Sequence, residues 1–121
     1  MLNKPDYTLL KNTRYALNGL IEVIRNESSF KLQLLLFFGM GAMAWLLPID
    51  FVYSAVLSIS LFIPLLAELT NSAIERVVDL VTLEYHELAK RAKDAGAALV
   101  FISLVMTGAV WICTLILAFY F

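Results

Sequence analysis

A single cysteine, Cys113, rules out an internal disulfide, so it reads as a small apolar core residue. No glycine-rich phosphate loop, no kinase HRD or DFG motif and no dinucleotide fingerprint occurs, so any nucleotide site here is of another kind. No small-residue cleavage site follows the first apolar run, which also starts late, and no signal peptide is expected. Asn26-Glu27-Ser28 matches a glycosylation pattern that is too common to carry weight. Charge is scarce as well: 16% of the 121 residues are charged and the net charge is −1, which gives no signal for nucleic acid. No repeat or low-complexity segment stands out.

What is abundant is apolar surface, at 61% of residues, more than a soluble domain of this length needs. It is gathered into runs. Leu34 to Leu47, Phe51 to Ala67 and Ala95 to Phe121 carry no charge. The last is long enough to cross a bilayer with tilt, and the others suffice with their flanks. The expectation is an all-α membrane protein, one domain over residues 1–121, with spans at 31–48, 51–85 and 90–121. The second span continues beyond the lipid as a longer helix, kinked at Pro64. Every Lys and Arg precedes the first span or lies between the second and third; Pro48-Ile49-Asp50 and the stretch after Ala95 have none. The positive-inside rule puts the N-terminus in the cytoplasm and the C-terminus outside. Trp45, Tyr53, Trp111 and Tyr120 then fall toward the outer interface, as an aromatic belt does.

Residues 5–26 carry a helical pattern, with Pro5 and Asp6 suited to its start. Leu9, Leu10, Leu17, Leu20, Ile21 and Ile24 share one face; Lys11, Arg14, Tyr15, Asn18, Glu22 and Arg25 share the other. An amphipathic basic helix before a span lies on the membrane surface or packs against the protein's own spans.

The stretch LFIPLLAELTNSAIERVVDL begins as a membrane span and then turns acidic. Glu68, Asn71, Ser72, Glu75 and Asp79 fall within about 100° of a helical wheel. A solvated face explains Asp79 and Glu75, but Glu68 sits where a carboxylate must face protein or a wet cleft. His86, Lys90, Lys93 and Asp94 form a second polar face, also within about 100°. Glu27 lies at the same depth. Oxygen ligands without cysteine point to a hard cation such as Mg²⁺, and a cation beside lysine points to phosphates.

The pattern Glu-x-x-Asn-Ser-Ala-Ile-Glu-x-x-x-Asp from Glu68, followed by His-x-x-x-x-x-Ala-Lys-Asp from His86, resembles the small bacterial membrane kinases, diacylglycerol kinase and its relative undecaprenol kinase. RYALNGL and RNESSF upstream resemble the family's surface helix and acidic turn. The resemblance implies a homotrimer in the bacterial inner membrane, with sites shared between subunits. It implies transfer of the γ-phosphate of MgATP to a lipid hydroxyl. Carried over, Glu68 is the catalytic base and Asn71 holds the reacting groups. Glu27 and Glu75 bind Mg²⁺. Tyr15, Asp79, Glu84, His86, Lys93 and Asp94 belong to the nucleotide site, with Lys93 on phosphate. Arg14, with Glu68, meets the lipid.

Thr70, Leu80, Lys90 and Gln33 depart from residues found in relatives, which bears on the lipid acceptor and on nucleotide contacts. Undecaprenol is the alternative acceptor. A small ion-coupled transporter using Glu68, or a structural subunit whose stripe binds a partner, are the readings from other classes. Glu22 and Glu87 read as solvated, Met40, Met43 and Met106 as packing or lipid contacts, and Trp45 and Trp111 as interface anchors.

Overall fold

The computed structural model describes residues 8–121. Five helices follow one another: α1 (Leu9–Asn26), α2 (Ser28–Leu46), α3 (Phe51–Ser60), α4 (Phe62–Val81) and α5 (Glu87–Tyr120), with no strand among the described residues. The helix start expected at Pro5 and Asp6 lies outside them. Within them, Thr8 caps α1, its Oγ1 accepting from Lys11 N at 3.2 Å. One residue separates α1 from α2. Glu27 is extended (φ −124, ψ 113), and its carbonyl already accepts from Lys31 N at 3.2 Å. The polar bend is therefore a sharp joint.

α2 ends before Pro48, which cannot donate to a continuing helix. The Asp50 carbonyl starts α3 by accepting from Tyr53 N and Ser54 N at 3.0 and 3.2 Å. α3 and α4 form one apolar passage of 31 residues, Phe51–Val81, interrupted at Leu61. Pro64 causes the interruption. It has no N–H for the Ser60 carbonyl, and its ring crowds that carbonyl. α4 stops at Val81, short of Tyr85. Thr82 turns extended, and its Oγ1 accepts from Glu84 N at 3.1 Å, a side-chain turn that competes with the next helical bond. α5 restarts at Glu87, earlier than residue 90, because His86 caps it: Nδ1 accepts from Leu88 N at 3.1 Å.

Three of these passages, Ser28–Leu46, Phe51–Val81 and Glu87–Tyr120, are long and apolar enough to cross a membrane. They pack around two apolar centres. One joins Ala44, Leu57, Leu61 and Trp111; the other joins Val23, Phe30 and Leu65, with Leu20, Ile24 and Leu69 against it. Phe37 touches both. α1 thus sits on the second centre through Val23, while Leu9, Leu10, Leu17 and Ile21 stay exposed. Gly96, Ser103, Thr107, Trp111 and Thr114 form the buried seam of α5. Its hydroxyls donate back along the helix, Ser103 to the Val100 carbonyl and Thr107 to that of Ser103, so apolar surroundings leave neither without an acceptor.

Two expectations are corrected here. Trp111 is a core residue rather than an interface anchor: it is 7% exposed, and its Nε1 donates to Ser60 Oγ at 3.1 Å. Cys113 is exposed on the outer side of α5 instead of filling the core. Both follow from α5 being uncharged on all sides beyond Asp94, which hides its inward face from a charge-based periodicity argument.

Candidate active site

The polar stripe of α4 divides between two neighbours. Glu68 and Ser72 turn toward the α1–α2 joint, whereas Asn71, Glu75 and Asp79 turn toward α5. This is what an arc of about 100° does when the helix is flanked on both sides.

On the first side, Glu68 is buried, with 7% of its surface exposed. Ser29, in the first turn of α2, donates from Oγ to Glu68 Oε1 at 2.9 Å. One turn on, buried Ser72 donates from Oγ to Glu27 Oε2. A further turn on, Arg76 donates from Nη2 to Glu27 Oε1 at 3.1 Å and from Nη1 to Glu22 Oε2. Glu22 also accepts from Asn26 Nδ2 at 2.8 Å. Glu22 is exposed, as the sequence suggested, and is ion-paired as well. Arg76 and Ser29 received no role at all from sequence. Arg76 follows Ser72 by one helical turn, so the wheel carried the hint; its partners on another element did not show.

On the second side, α4 and α5 approach closely at Gly96. A Cβ added there would lie 2.2 Å from Asn71 Oδ1. That oxygen is buried without a hydrogen-bond partner, and Asn71 Nδ2 reaches Glu75 Oε1 at 3.5 Å. Beyond them, Lys93 Nζ pairs with Asp79 Oδ1 at 2.7 Å and Lys90 Nζ with Asp94 Oδ2 at 2.6 Å.

The end of α4, the turn 82–86 and the start of α5 enclose an open cleft of ≈ 290 Å³. Asp79, Glu84, His86, Lys90, Lys93 and Asp94 are its charged and imidazole lining. Five of the six residues expected at a nucleotide site thus meet in one place. Tyr15, half-buried on α1, does not line it, and Arg14 is exposed on α1. Because His86 Nδ1 accepts a backbone bond, its Nε2 is the nitrogen left to donate.

Among the described residues, no three His, Cys, Asp or Glu side chains cluster closely enough to hold a cation alone. Mg²⁺ needs less, since it is commonly held by one or two carboxylates plus substrate phosphates. Glu75 fits that demand: it is exposed, and among the described residues the long Asn71 contact is the one hydrogen bond on its carboxylate. Glu27 fits it less directly, because Ser72 and Arg76 already occupy both its oxygens.

A family profile described as prokaryotic diacylglycerol kinase matches residues 14–115. The chain is 37% identical over 103 residues to a diacylglycerol kinase of Haemophilus influenzae, covering 85% of this chain and 87% of that protein. The corresponding protein of Pseudomonas aeruginosa is 37% identical over 85% of this chain and 84% of its own length. That of Escherichia coli K12 is 34% identical over the same shares.

Proposed function

The chain belongs to the prokaryotic diacylglycerol kinase family and is a membrane-embedded lipid kinase, and from that premise we propose that it transfers the γ-phosphate of MgATP to the hydroxyl of diacylglycerol, giving phosphatidic acid. The observation that carries this is Glu68. It is a buried carboxylate where the apolar part of α4 gives way to polar residues, with Ser29 as its hydrogen-bond partner. A lipid hydroxyl cannot travel far into water, so its proton acceptor must stand where the span ends.

In this reading, Glu68 takes the proton of the lipid hydroxyl as its oxygen bonds to the γ-phosphorus. The bond to the oxygen bridging to ADP breaks, and ADP departs with that electron pair. Ser29 fixes one carboxylate oxygen and leaves the other for the substrate. Asn71, held between Gly96 and Glu75, orients the reacting groups. Glu75, with Glu27, would hold Mg²⁺ on the phosphates, where it neutralises charge. Lys93 meets phosphate, while Asp79, Glu84, His86 and Asp94 line the cleft that receives the nucleotide. Tyr15 and Arg14 on α1 approach nucleotide and lipid from the other side. Positioning and charge, rather than covalent help from the protein, drive such a transfer.

The setting follows from the same premise. α1 lies on the cytoplasmic surface of the inner membrane with Leu9, Leu10, Leu17 and Ile21 in lipid. The N-terminus is inside and the C-terminus outside, in accord with the placement of Lys and Arg. Three copies assemble, with sites shared between them. A transporter is disfavoured because all the acids but Asp50 gather at one end of the spans and none lies between Ala95 and Phe121.

The test is transfer of label from γ-labelled ATP in mixed micelles containing diacylglycerol or, separately, undecaprenol. Labelled phosphatidic acid as the main product supports the proposal. Preferential labelling of undecaprenol would change the acceptor. ATP left intact with either lipid would reject a kinase.

A further inference from the structure

Arg76 is the one basic side chain on α4, and its surroundings are unusual for an exposed arginine. Its two terminal nitrogens serve different carboxylates on different elements, Glu22 on α1 and Glu27 at the α1–α2 joint. Glu27 is in turn held from the other oxygen by Ser72, which is buried. An isolated surface ion pair contributes little, but a forked guanidinium in a network of several groups is constrained from each side.

The geometry beneath α1 shows what this network can hold. Between α1 and α4 lies an open, mostly apolar groove of ≈ 350 Å³, with Ala16, Gly19 and Leu20 on one wall and Leu69, Ala73 and Arg76 on the other. α1 therefore does not rest flat on α4 along its length. It is anchored near its C-terminal end by Val23, Leu20 and Ile24 on the apolar centre, and by the Arg76 fork. Glu27 lies where these anchors meet.

We infer that Arg76 is a positioning residue: it ties α1 to α4 through Glu22 and, through Glu27, sets the joint carboxylate relative to the Glu68–Asn71 turn. The kinetic part of this inference rests on the kinase reading; the structural part does not. Lysine cannot replace the fork, since one ammonium on a flexible stem does not hold two separate carboxylates in fixed directions.

The experiment compares full-length wild type with Arg76→Ala, Arg76→Lys and Glu22→Gln in lipid-containing micelles. Amide hydrogen exchange is followed along the chain, and kcat and KM are measured for lipid and for MgATP. Arg76→Ala should speed exchange in residues 9–26 tenfold or more while leaving α5 protected as in wild type, and should lower kcat about tenfold. Glu22→Gln should reproduce the faster exchange of α1 but keep kcat within about threefold, because Glu27 retains its arginine. Arg76→Lys should fall between wild type and Arg76→Ala. Exchange and kcat of Arg76→Ala within twofold of wild type would overturn the inference. So would Glu22→Gln leaving α1 exchange unchanged, a result that stands even if Arg76→Ala fails to fold. If the wild type labels no lipid, the kinase reading fails alone, and the exchange arm still decides whether the fork holds α1.

Discussion

At the scale of single residues, the close approach of Asn71 and Gly96 makes the sharpest demand. A methyl group at Gly96 would meet Asn71 Oδ1 at 2.2 Å, so the Asn71 amide must shift to admit it. At Gly41, by contrast, it would meet only Leu61 at an ordinary 3.9 Å. Gly96→Ala should therefore cost about 1–3 kcal/mol of stability by overpacking. It should also lower kcat about tenfold or more by moving the amide proposed to orient the reactants. Gly41→Ala should do neither, and thermal denaturation with an activity assay on both variants checks the contrast. The sequence marked Glu68 and Asn71 as the residues to watch, because acids and amides are out of place at the end of an apolar run. It did not mark Arg76, Ser29 or the inward turn of Trp111. Arg76 and Glu22 are 54 positions apart in the chain, and a pair at that separation leaves no periodic trace.

At the scale of elements, the turn between α4 and α5 decides the shape of the proposed nucleotide cleft. His86 has two parts there: Nδ1 caps α5, while the ring lines the cleft. The two parts separate by substitution. Asparagine is a good capping residue, so His86→Asn should keep thermal stability near wild type yet raise KM for MgATP. His86→Ala should raise KM as well and lose about 0.5–2 kcal/mol of stability with the cap. A KM for His86→Asn equal to wild type would leave the histidine a cap and nothing more. The existence of each span was readable from uncharged runs, and Pro64 announced the interruption near Leu61. Helix ends were less readable. α4 stops at Val81 because a threonine hydroxyl captures the Glu84 amide, a local choice that hydropathy does not register.

At the scale of the whole molecule, the subunit leaves most of its apolar surface uncovered. Only 11% of the apolar stretch of α2 and 22% of that of α5 is buried within the chain. Lipid and other copies of the chain are the two ways to cover the rest, and the proposed trimer with shared sites uses both. Subunits carrying Glu68→Gln, mixed and reassembled with subunits carrying Lys93→Ala, should then recover label transfer that neither has alone. No recovery at any mixing ratio would mean that each chain houses a complete site. That arrangement was not readable from the residues themselves, since an apolar span reads the same whether lipid or protein lies against it. The central claim, however, concerns one carboxylate where the apolar part of a span ends. Its most direct test is label transfer from γ-labelled ATP to diacylglycerol by purified Glu68→Gln, with assembly checked by mass in detergent. The account predicts wild-type assembly and loss of transfer by about a hundredfold or more, as general-base removal does. Turnover near that of the wild type would contradict it.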